Sequence, residues 1–171
     1  EKRPAVQVGD QQDAPIWRAI AHARHGQWPQ AYAGFKASDN AVRALPIEMQ
    51  RMAMAYEMRS AIEVRDFGGA TRVLNEFETM GVPTEQEAAI QVLSGRLYES
   101  LGRKEDALTA YRAAAASRDR PASAQGRLRE IELLNATGDM PRNEVIHELE
   151  TLTTMWRGDE TESGGLRLLA H

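Results

Sequence analysis

Four points where one helical stretch stops and the next begins, Gly26, Arg65, Gly102 and Gly138, are separated by 39, 37 and 36 residues. A period of this length confines the chain to an array of short units that each cover a neighbour. Five residues after the first three points stand Ala31, Ala70 and Ala107, and nine residues after them stand Phe35, Leu74 and Tyr111. A small residue followed by a large one therefore recurs in register. The clearest unit is EAAIQVLSGRLYESLGRKEDALTAYRAAAASR, from Glu87 to Arg118. Its first half repeats apolar residues at helical steps (Ile90, Leu93, Leu97, Leu101), and its second half does so with Ala107, Ala110, Tyr111 and Ala114. Gly102 suits the left-handed residue that ends one helix, so the unit reads as an antiparallel hairpin of close-packed helices.

The same reading along the chain predicts a flexible N-terminal arm over 1–12 and a helix from Asp13, as N-cap with Pro15 in its first turn, to His25. A second helix follows over 29–38, closed by Asp39 and Asn40. A third from Pro46 to Arg65 has apolar residues on more than one face, so it should be covered on two sides. Asp66 caps a fourth, Phe67 to Met80. Thr84 with Glu87 makes a capping-box pattern for the fifth. Helices over 121–137 and 141–156 complete the series, and Asp159 is placed to cap one more. The predicted units are 13–45, 46–83, 84–120, 121–158 and a truncated 159–171.

An isolated hairpin of such short helices buries too little surface to offset its ordering entropy, and stacking removes that difficulty. The strings GQWPQAYAGF, RDFGGATRVL and GRKEDALTAY carry the likeness to a known family: the chain resembles the tetratricopeptide repeat, whose second helix bears a small residue and then an aromatic one. The fourth unit departs from the pattern, with Asn143 in the small position and His147 in the large one, which implies a second helix either rotated or packed differently. The string LETLTTMWRGDETE also resembles a segment of long bacterial, mainly alphaproteobacterial, repeat proteins and points to no activity. The resemblance implies an all-α fold, an α-solenoid forming a right-handed superhelix of helix-turn-helix hairpins. Its concave groove would hold a protein or peptide, a non-enzymatic scaffold role. The alternative is a structural spacer in a longer solenoid.

The family geometry places groove positions at Ala55, Arg59 and Glu63, at Val92, Arg96 and Glu99, and at Leu128, Glu132 and Asn135. Arg59 and Arg96 are register equivalents. Two stacked guanidinium groups would receive a carboxylate through bidentate bonds, or each would pair with a nearby glutamate. Some family members clamp a peptide carboxylate with lysines and asparagines here. Ala55, Val92 and Leu128 at a usually polar step imply instead a mixed, partly apolar groove.

Composition narrows the chemistry. Charged residues are 27% of the chain with a formal net charge of −4, and no basic stripe suggests nucleic acid. The absence of cysteine removes disulfides and thiolate sites and leaves the compartment open, a periplasmic location with a removed leader being favoured over a cytoplasmic one. No apolar run reaches the roughly 20 residues a membrane span needs. His22 and His25 have a spacing that two metal ligands could share, but His22 falls on an inward position and reads as packing. Glu144 and His147 form one Glu-x-x-His where a di-iron bundle needs two. Arg157-Gly158-Asp159 is explained by helix-cap chemistry. Methionines 49, 52, 54 and 58 read as core filling. No catalytic residue, metal or cofactor is predicted. Leu166, Leu168 and Leu169 suggest self-association through an apolar C-terminal end.

Overall fold

The computed structural model describes the backbone of residues 8–155 and the side chains from Asp13 onward. Every regular element among these residues is a helix: α1 (Val8–Arg24), α2 (Trp28–Ala37), α3 (Asp39–Ala44), α4 (Ile47–Glu63), α5 (Phe67–Met80), α6 (Thr84–Ser100), α7 (Lys104–Ala115), α8 (Arg120–Thr137) and α9 (Arg142–Met155). The chain divides between Gly81 and Val82 into two compact units. In the first, α1 pairs with α2 and α4 with α5, and α4 is covered by α1, α2, α3 and α5, as its two-sided apolar pattern predicts. In the second, α6 pairs with α7 and α8 with α9, while α8 also touches α6 and α7.

The four points of the sequence period share one backbone geometry. Gly26, Arg65, Gly102 and Gly138 have φ of 69°, 65°, 74° and 73°. The amide after each donates back to the fifth residue before it: Gln27 to His22, Asp66 to Ala61, Arg103 to Tyr98 and Asp139 to Leu134, all at 2.8–2.9 Å. The turn residue's own amide donates to the third residue before it, at 3.0–3.2 Å. These paired bonds satisfy the last carbonyls of each first helix and reverse the chain. Arg65 makes the turn with a side chain whose Cβ crowds the left-handed conformation, a cost that glycine avoids at the other three points.

The small and large positions are core. Ala31, Ala70, Ala107, Phe35, Leu74 and Tyr111 are all buried. Gly95 lets α6 lie so close to α7 that a Cβ there would stand 2.4 Å from the Tyr111 ring. In the fourth hairpin Asn143 and His147 are exposed, and Val145 and Leu149 are buried in their place. The reason is loop length: α2, α5 and α7 begin two residues after their turn residue, whereas α9 begins four after Gly138. That delay moves the buried pair two positions along the chain, keeps its four-residue spacing, and accounts for the departure seen in the sequence.

Three expectations need correction. The first helix starts at Val8 rather than Asp13, so Asp13 is not its cap and Pro15 lies inside it; extending an anchored helix costs far less than nucleating one. Asp39 and Asn40 do not close a helix but open α3, which buries Val42 and brings Leu45 inward. Pro83, in extended conformation, occupies the N-cap of α6 and Thr84 is already helical, so the capping box does not form. The Asp66 cap does form, its Oδ1 accepting from the Gly69 amide at 2.9 Å. The arm over 1–7, the Arg157-Gly158-Asp159 turn, the truncated unit 159–171 and Leu166, Leu168 and Leu169 lie outside the described residues.

Candidate functional site

On α4 of the first unit, Ala55, Arg59 and Glu63 are half-buried. The guanidinium of Arg59 lies over the Trp28 ring, 4.7 Å from its centroid. One turn away, Arg24 Nε donates to the Tyr56 hydroxyl at 3.2 Å, its guanidinium 5.9 Å from that ring's centroid. Two arginines held against aromatic faces make a cationic, flat-walled surface of low side-chain entropy. Trp28 and Tyr56 were missed as partners of Arg59 because they come from different helices. The only trace in sequence is that Trp28 opens α2 directly behind the turn at Gly26.

In the second unit the structure brings together Arg96 and Glu99 of α6 with Glu132 of α8, joined by Arg129 and Tyr111. Burial pushes the Glu132 carboxyl above its usual range, Glu99 adds to the effect, and Arg129 and Arg96 oppose it. Tyr111 donates to Glu99 Oε2 at 2.7 Å, and burial with that bond raises the phenol well above its ordinary value. Asn135 is half-buried, and its carbonyl accepts from the Gly138 amide at 3.2 Å. Arg59, Glu63 and Arg96 are all engaged with neighbours. Val92 and Leu128 do not line an open surface: they are only 5% and 7% exposed. Val92 packs with Ala88, Ala114 and Ala122, and Leu128 with Ile131, Val145 and Leu149. In three of the four hairpins this step is a packing position, Ile16 before Gly26 being completely buried as well, while Ala55 before Arg65 is half-buried.

Two ion clusters were not anticipated. In the first unit Arg43 and Arg72 stand among Asp39, Glu57 and Glu76: Arg43 is 2.9 Å from Glu76, and Arg72 is 3.5 Å from Glu76 and 3.8 Å from Glu57. In the second, Glu130 accepts from Arg112 and from Arg127, each at 2.8 Å, and Arg127 reaches Glu148 at 2.8 Å. Glu57 and Glu130 both lie eight residues before a turn residue, a register coincidence that would have flagged them in the sequence.

The second unit also carries an open cleft of about 810 Å³ beside the start of α6 and the α7–α8 turn. Ala88, Ala113 and Ala116 form its apolar part, and Glu85, Glu87 and Arg118 its charged rim. The two histidines singled out by spacing do not converge. His22 Nδ1 is 2.5 Å from Gln27 Oε1, and His25 Nδ1 is 2.7 Å from the Ala21 carbonyl oxygen. His22 is half-buried rather than fully packed. Among the described residues no group of three or more histidine, aspartate or glutamate side chains is arranged to hold a metal ion. No helix among them is long and apolar enough to cross a membrane. Met54 and Met58 are core and Met49 and Met52 half-buried, so the methionines form no open surface stripe.

Paired helices, equivalent left-handed turns and a register-matched core define an all-helical protein with internal repetition. No family model, no curated protein and no solved structure matches the chain.

Proposed function

We propose that the chain is a non-enzymatic interaction module, a tetratricopeptide-like solenoid that holds a protein or peptide against the first helices of its hairpins. One observation carries the reading. Arg59, Arg96 and Glu132, each six residues before a left-handed turn residue, are all half-buried and polar, whereas the small and large positions of the second helices are buried. In the hairpins opened by α4, α6 and α8 a polar register on the first helix stands with an apolar register on its pair, the division a repeat array needs to keep a face for a partner, while α1 carries the buried Ile20 at that step. Trp28 and Tyr56 beside their arginines add the aromatic and guanidinium chemistry that dominates binding hot spots.

The test is selection of peptide ligands by the purified chain, followed by calorimetry on wild type, Arg59→Ala and Arg96→Ala after equal helicity is verified. The reading expects a peptide selected on one unit to lose about tenfold or more in affinity with the variant of that unit, the loss of one hot-spot contact. Selected peptides that bind all three proteins equally would remove the first-helix surface from the proposal. A second reading, a spacer that stacks on further repeats, is favoured by Met155 at the end of α9, which is 64% exposed. Replacing it by glutamate should then weaken any concentration-dependent increase in mass.

A further inference from the structure

We propose that the ion cluster around Glu57 is a pH-operated clasp in the first unit: protonation of Glu57 holds α3 and α5 firmly on α4, and its ionisation loosens them. Glu57 is only 4% exposed, and its Oε1 has no hydrogen-bond partner. Arg72 approaches no nearer than 3.8 Å, beyond hydrogen-bond reach. The groups around it come from each helix packed on α4. From α3 there are Asp39 and Arg43, and from α5 Arg72 and Glu76. From α2 there is Tyr32, which donates its hydroxyl to Asp66 at 2.6 Å, with Lys36 lying over its ring. From α1, Arg24 is taken by Tyr56.

Charge balance decides which state the fold prefers. With Glu57 ionised, three carboxylates face two guanidinium groups, and the surplus charge is the buried, unbonded one. With Glu57 neutral, Asp39 and Glu76 balance Arg43 and Arg72. Burial therefore raises the Glu57 carboxyl to about 7, with Arg72 opposing and Asp39 and Glu76 adding to the rise. Because the folded value is raised from 4.5, the contribution of Glu57 to stability is fully present below pH 4.5 and is lost as pH climbs through about 7. The clasp rests on this cluster alone and not on the interaction reading.

Hydrogen exchange of the full chain at pH 5 and pH 8, corrected for intrinsic rates, tests it with α7 as internal reference. Protection of α3 and α5 relative to α7 should fall about tenfold or more at pH 8, and Glu57→Gln should abolish that fall. Unchanged relative protection in wild type, or the same fall in Glu57→Gln, would overturn the proposal. Since the variant itself can perturb folding, a carboxyl-carbon NMR titration of Glu57 in the wild-type chain gives a second decision. A midpoint near 7 supports the clasp, and one near 4.5 overturns it.

Discussion

The two units bury a glutamate at the same register and treat it differently. Glu57 and Glu130 are 4% and 5% exposed. Glu130 receives two guanidinium hydrogen bonds at 2.8 Å, whereas Glu57 has one guanidinium at 3.8 Å and an oxygen with no partner. The difference traces to two arginines: one helical turn earlier stand Arg127 in α8 and Met54 in α4, and ten residues after the turn at Gly102 stands Arg112 in α7. At the equivalent step of α6 stands Ser94, also buried, which meets its need locally by donating to the Ile90 carbonyl at 2.8 Å. A buried charge is tolerable when hydrogen-bonded cations converge on it and costly when they stop short. Of its two turns, at Gly26 and Arg65, the first unit makes one with arginine, where the second uses Gly102 and Gly138. By both criteria the first unit is the less relaxed of the two.

The largest expected effect comes from making the second unit resemble the first. Arg127→Met gives Glu130 the neighbour that Glu57 has and leaves Glu148 without its arginine. Arg112 remains on Glu130, so the loss should be about 2 kcal/mol at pH 8 rather than that of a fully stripped buried charge. The stability lost should be smaller at pH 5 than at pH 8, because the carboxylates that Arg127 serves carry less charge as pH falls. Denaturant titrations at the two pH values check this. Equal losses at both would break the comparison, since charge pairing would not then separate the units.

Next in size are the helix caps. Asp66 caps α5 and also receives the Tyr32 hydroxyl at 2.6 Å, whereas Asp119 caps α8 through Ala122 at 3.1 Å. Asp66→Ala should therefore cost about 1–2 kcal/mol and Asp119→Ala about 1 kcal/mol. The Tyr32 and Gly69 bonds hold the Asp66 carboxyl below its ordinary 3.8. Its stabilisation is therefore present above that value and disappears as pH falls through the depressed one. The first unit is thus opposed by acid at Asp66 and by alkali at Glu57. Urea melts of Asp66→Ala and Asp119→Ala at pH 6 and pH 3 would show whether the difference between the caps shrinks in acid, as this requires.

Much of this architecture is legible in sequence because it is local. The four turns follow from spacing, and the buried small and large residues follow from period. The shift to Val145 and Leu149 was visible as a departure at Asn143 and His147, though its cause, a longer loop, needed the structure. The site was less legible. Arg96, Glu99 and Glu132 do come together, but Val92 and Leu128 face packed clusters, because one helical step separates an open face from a seam between helices. Trp28 against Arg59, and Arg72 near Glu57, join side chains from different helices, and helix periodicity carries no information about which rows of neighbouring helices meet. The six-residue α3 was lost for a similar reason: too short to show a period, it is held by Val42 and by Arg43 reaching Glu76.

Arg65→Gly tests the turn half of the comparison and should stabilise the chain by up to about 1 kcal/mol. Relief of the left-handed arginine backbone is offset in part by the entropy of a new glycine and by loss of the Arg65 contact with the Phe67 ring. A rise in denaturation midpoint without a change in slope would show it, and a fall would mean that the ring contact outweighs the backbone. The smallest effect isolates the charge count itself. Glu76→Gln leaves Asp39 and Glu57 facing Arg43 and Arg72, two of each sign, the ratio that Glu130 and Glu148 have with Arg112 and Arg127. Stability at pH 6 should change by no more than about 0.5 kcal/mol, since Glu76 is a partly exposed ion-pair member. The Glu57 midpoint should nevertheless move down from about 7, because one of the two carboxylates raising it is gone. A midpoint that stays in place would clear Glu76 and leave burial and Asp39 as the source of the elevation, so that the charge count would not be what separates the units.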